Sequence, residues 1–61
     1  MIKTIEIAAG IKRLINLATG RDVLIAKEAG QWLMMANALQ PDAHQELGWF
    51  ATVADCKRAI S

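Results

Sequence analysis

Cys56 and His44 are the only cysteine and histidine in the chain, and they come nearest to a catalytic pair. A nucleophilic thiol needs a lowered pKa, and Cys56 falls in the first turns of a segment with helical spacing, where the helix dipole favours a thiolate. His44 would then serve as its general base. The surrounding residues argue otherwise. Cys56 shares an apolar stripe with Val53 and Ile60, which describes a buried, inert thiol. His44 lies among Asp42, Gln45 and Glu46, the setting of a solvated loop side chain.

Other chemistry is equally thin. The carboxylates Glu6, Asp22, Glu28, Asp42, Glu46 and Asp55 form no close pair suited to metal or acid–base work. With one cysteine and one histidine, a zinc site would need carboxylates to complete four ligands. Tyrosine is absent, the only serine is Ser61, and Gly10, Gly20, Gly30 and Gly48 are too scattered for a phosphate-binding loop. The sequence therefore predicts no catalytic, cofactor-binding or metal-binding residues, and no enzyme.

Composition points toward partners. The 61 residues make a single small domain, residues 1–61. A chain this short buries only roughly 60% of the surface its unfolded form exposes. An internal disulfide is impossible with one cysteine, which leaves oligomerisation or an efficient core as the source of stability. The apolar fraction is 54%, high for so little interior, so an exposed apolar patch is expected.

Seven Lys and Arg against six Asp and Glu leave a net charge of +1, without the basic stripe of a nucleic-acid binder. The uncharged stretch Ala29 to Pro41 is too short to span a bilayer, and Glu6 interrupts any signal-like apolar run. The lone cysteine fits a reducing compartment. The expectation is a cytoplasmic protein with no membrane or nucleic-acid partner, of a size common among phage and other mobile-element proteins.

One short motif favours DNA. "IAKEAGQWLMMANAL" resembles a helix-turn-helix, with Ala26, three residues, then Gly30 at the turn. The resemblance spans some fifteen residues and implies a DNA-binding regulator. Gln31 departs from it where an apolar residue normally follows the glycine. The would-be recognition helix, Trp32 to Leu39, carries no Arg or Lys to read bases.

The elements that must position these residues are read from periodicity. In "TIEIAAGIKRLINLATG", Ile7, Ile11, Leu14 and Ala18 recur at helical spacing, with Thr4 as N-cap and Gly20 as stop, which predicts an amphipathic helix. A short strand through Ile2, Ile5 and Ile7 is the alternative. In the middle, Val23–Ile25 and Trp32–Met35 read as a hairpin around a three-residue Glu28-Ala29-Gly30 loop, with Gly30 forming a bulge. The same stretch also carries a helical stripe through Ile25, Ala29, Trp32, Ala36 and Leu39. "QPDAHQE" reads as a loop. Trp49 and Phe50 favour a strand, and Thr52 with Asp55 three residues on resembles a capping box that opens a final helix.

The expected fold is thus α+β. It runs helix, β-hairpin, short strand, helix, with the helices on one face of a two- or three-stranded antiparallel sheet. A three-helix bundle is the alternative. With the Gly30 bulge, Val23, Ile25, Leu33 and Met35 share one hairpin face, and Leu24, Ala26, Trp32, Met34 and Ala36 the other. Both faces are apolar, and two helices cover only one. The expected function is a non-enzymatic protein–protein interaction module, an adaptor, inhibitor or regulator, acting as a homodimer or on a larger protein. Leu24, Trp32, Met34 and Trp49 are its predicted interface.

Overall fold

A computed structural model describes residues 1–36 and 45–61. Among these residues the chain forms five strands and one short helix: β1 Ile2–Ala8, β2 Ile11–Asn16, β3 Asp22–Glu28, β4 Gln31–Ala36, β5 Gln45–Phe50 and α1 Val53–Ala59. The strands make one antiparallel sheet in chain order, β1-β2-β3-β4-β5. The fold is mostly β. Both the α+β arrangement with two helices and the three-helix bundle are overturned.

The main departure lies in the first third. Residues expected to form a helix from Thr4 to Gly20 form the β1–β2 hairpin, which turns at Ala9-Gly10. Thr4, expected to cap a helix, stands in mid-strand opposite Leu14. The cause is composition. Ile2, Thr4, Ile5, Ile7, Ile11 and Ile15 are β-branched, and such side chains lose rotamer freedom in a helix but sit well on a pleated surface. The helical stripe Ile7-Ile11-Leu14-Ala18 is a coincidence of spacing.

β3 and β4 form the expected hairpin, but over a shorter turn. Glu28 pairs directly with Gln31, so the loop is the two residues Ala29-Gly30, with φ of 50° and 79°. Positive φ at both central positions is what a type I′ turn demands, and this turn matches the right-handed twist of the strands. Losing one loop residue shifts the register by one, which exchanges the faces of β4 relative to β3.

β5 begins at Gln45, earlier than Trp49, and pairs with β4 around a bulge: Met34 faces Gly48 and Met35 faces Glu46, leaving Leu47 as the extra residue. Gly48 has φ 152°, a backbone that suits glycine, and a Cβ there would touch the Phe50 ring at 3.7 Å. The C-terminal helix forms as expected. The Thr52 hydroxyl accepts a hydrogen bond from the Asp55 N–H at 3.1 Å, which forms the N-cap half of the predicted capping box. An Asp55–Arg58 ion pair follows within the helix.

α1 lies on one face of the sheet. Cys56 and Ile60 are fully buried there against Leu14, Val23, Ile25, Trp32 and Met34, with Ile2, Phe50 and Val53 at the margin. Each such side chain contributes about 1.5–3 kcal/mol when taken from water. One buried polar residue, Asn16, ties the arrangement together. Its Oδ1 accepts from the N–H groups of Ala18 at 2.9 Å and Thr19 at 3.3 Å, which shapes the β2–β3 connection. Its Nδ2 reaches across to the end of α1. Among the described residues, no buried side-chain nitrogen or oxygen lacks a partner.

Candidate functional site

Alternation along the strands divides the side chains between two faces. The helix face is carried by rows of directly opposed residues: Thr4–Leu14–Val23–Ala36, Lys12–Ile25–Met34–Gly48, and Lys27–Trp32–Phe50. Here Leu14, Val23, Ile25, Trp32 and Met34 are buried, and the Lys27 ammonium stands 6.0 Å from the Trp32 ring centre.

The opposite face has no element over it among the described residues. Its rows are Ile5–Arg13–Leu24–Met35–Glu46 and Ala8–Ile11–Ala26–Leu33–Trp49, with Lys3–Ile15–Asp22 at the end nearer the β2–β3 connection. Ile5, Ile11, Ile15, Leu24, Ala26 and Met35 are half-buried, and Trp49 is 49% exposed on edge strand β5. Leu33, on β4 between Ala26 and Trp49 in the second row, is only 8% exposed. An antiparallel sheet with one wet face normally alternates apolar with polar. This one does not.

The predicted interface is therefore split. Leu24 and Trp49 lie on the open face. Trp32 and Met34 do not: they stand opposite Phe50 and Gly48 on the helix face and belong to the core. The two-residue turn is the reason, since it brings Leu33 and Met35 into line with Leu24 and Ala26. Ile5, Ile11, Arg13 and Ile15, missed while their segment was read as a helix, complete the face. The alternation Ile11, Arg13, Ile15 was the signal available for them.

Apart from Lys3 and Glu46 on the edge strands, the charge on this face forms one pair. Arg13 on β2 and Asp22 on β3 are both about three-quarters buried and form a two-point ion pair, with Nε donating to Oδ1 at 2.8 Å and the second guanidinium nitrogen to Oδ2. The hydrogen bond from Arg13, aided by its charge, outweighs the effect of burial and holds the Asp22 carboxyl below the ordinary carboxylate range. The same bond raises Arg13 further above its ordinary value. The pair is neutral as a unit and satisfies its own donors and acceptors, which suits it to an apolar surface.

The catalytic readings find little geometry. Cys56 is buried beneath the helix, and burial pushes its thiol up, away from the thiolate a nucleophile needs. His44 lies outside the described residues. No group of three or more His, Cys, Asp or Glu is placed to hold a metal ion among the described residues. The segment resembling a helix-turn-helix, where described, is strand, turn and strand, so the two helices of that motif are missing. No helix of the described residues is long and apolar enough to cross a membrane.

Comparison with protein-family models, curated proteins and solved structures finds no match to this chain.

Proposed function

We propose that this protein is a small non-enzymatic interaction module, an adaptor, inhibitor or regulator, that works by docking the open face of its sheet on another protein surface in the cytoplasm. One observation carries the reading. Ile5, Ile11, Ile15, Leu24, Ala26, Leu33, Met35 and Trp49 form a continuous apolar field on a face that α1 leaves uncovered. Soluble chains rarely leave such a field in water unless it binds something. Trp49 has the qualities of an anchor: large area, few rotors and substantial exposure before docking.

The test is Leu24→Asp, which puts a charge in the middle of the face without touching the core beneath α1. Wild type and variant, both checked for folding by circular dichroism, are used as bait in extracts of the native host. Proteins retained by wild type and lost with Leu24→Asp, or self-association lost in the same way, support the module. Identical behaviour of the two chains in both respects would overturn it.

A further inference from the structure

Resting on that reading of the open face, we infer that its occupant is a second copy of this chain, stacked face to face about a two-fold axis parallel to the strands. Three observations single out a copy over an unrelated partner.

The first is edge charge. On the open face the β1 edge carries Lys3 and the β5 edge carries Glu46. An axis parallel to β3 lays each β1 over the partner's β5. Glu46 of each chain then lies over the partner's Ile5, one row from the partner's Lys3 and within reach of its long side chain, twice per dimer. An axis across the strands would instead set β1 over β1 and lose the match.

The second is shape. In the same arrangement the central strand β3 lies over itself, so Leu24 and Ala26 meet their own counterparts. Leu33 comes over the partner's Ile11. Trp49, the most exposed side chain of the field, falls over the partner's Ala8, a small residue at the far end of the same row. Large over small is how two pleated faces interdigitate. Asp22, also on β3, comes over the partner's Asp22 in this arrangement, and each carboxylate is neutralised by Arg13 of its own chain.

The third is size. Five strands about 4.8 Å apart, each presenting about six residues at about 3.3 Å, give a footprint of about 480 Å². Two such faces remove about 1,000 Å² of surface, where specific interfaces begin. The whole chain exposes 3876 Å², so this is a substantial share of what each copy can offer.

Size exclusion with light scattering on the intact chain, from about 5 µM to 500 µM, reads the result directly. Wild type should run at twice the chain mass, and Leu24→Asp at the single mass with an unchanged far-UV spectrum. Lys3→Glu and Glu46→Lys should each weaken the dimer several-fold, and the double exchange Lys3→Glu/Glu46→Lys should restore it. Recovery in the double exchange is a readout that unfolding cannot mimic.

A wild-type chain that remains monomeric at 500 µM overturns the dimer. If Leu24→Asp then still abolishes capture of another protein, the interaction module stands and only the second copy fails. A dimer that persists in Leu24→Asp places self-association on another surface and overturns the face-to-face stack. Failure of the double exchange to recover overturns the axis and its edge pairing.

Discussion

The Asn16 side-chain amide donates a hydrogen bond to the Ile60 carbonyl at 2.7 Å, linking residues 44 positions apart. Asn16 is 4% exposed, and the same side chain accepts two N–H groups of the β2–β3 connection through its other atom. A single residue thus joins a strand end, a loop and the last turn of α1. Its polar atoms are all used, which is what makes its burial tolerable.

Asn16→Leu should therefore destabilise the protein by about 2–3 kcal/mol, because the Ile60 carbonyl and two loop amides lose their partner while buried or half-buried. Urea unfolding followed by tryptophan emission measures the change. A loss below about 0.5 kcal/mol would mean that water replaces the amide at no cost.

Ala29 holds a φ of 50°, a conformation that alanine resists and asparagine tolerates. Ala29→Asn creates the Asn-Gly pair preferred in type I′ turns. The variant should gain about 1 kcal/mol, read as a raised unfolding midpoint with an unchanged denaturant slope. A lower midpoint would show that the turn is not of this type.

The Asp22 carboxyl is held below its unfolded value, so the ion pair's contribution is present above the ordinary carboxylate range, at about pH 4, and is lost as pH falls through the folded value. Stability measured from pH 7 to pH 2 should drop more steeply for wild type than for Asp22→Asn, whose loss is already present at neutral pH. Parallel curves would show that the pair is no stronger folded than unfolded.

Cys56 should react slowly with a thiol reagent in native protein and rapidly in denaturant, since it is fully buried and its thiol is pushed up by burial. Cys56→Ala should cost about 1–2 kcal/mol, the consequence of a small cavity beneath α1. Because the folded value is raised, stability should also decline as pH climbs past the ordinary thiol range, at about 8.5. Fast native labelling would place the thiol at the surface.

What the sequence disclosed depended on how local each signal was. The Thr52 N-cap is settled within four residues, and it forms, with the Asp55 carboxylate turned to Arg58 and not back to Thr52. The β3–β4 hairpin was legible from Val23–Ile25 and Trp32–Met35, since β-branched and aromatic runs flank a glycine. Its register was not, because Glu28-Ala29-Gly30 fits a three-residue loop as readily as Ala29-Gly30 fits a two-residue one. That choice alone moved Trp32 and Met34 from the proposed interface into the core.

The first segment failed for a different reason. Ile7, Ile11 and Leu14 satisfy a helical period, while Ile11, Arg13 and Ile15 satisfy a strand period, and the segment contains both. Pairing with β3 decides between them, through contacts such as Leu14 with Val23 that no local window contains. The open apolar face survived this error because both faces of β3 and β4 are apolar in either register. Its membership changed in part: Leu24 and Trp49 lie on it, while Trp32 and Met34 belong to the core.

The sheet order also bears on how the chain reaches this state. Every strand pairs with its neighbour in the chain, and the described hairpin connections are two, five and two residues long. Each of these pairings closes a short loop, so the entropic cost arrives in small steps and not in one large one. The docking of α1 is different: it must bring Ile60 back to Asn16 on β2, across most of the chain. Contacts between distant residues slow folding, while nearby ones speed it. The meander therefore favours an order of assembly in which hairpins zip locally and the bond from Asn16 to Ile60 closes late.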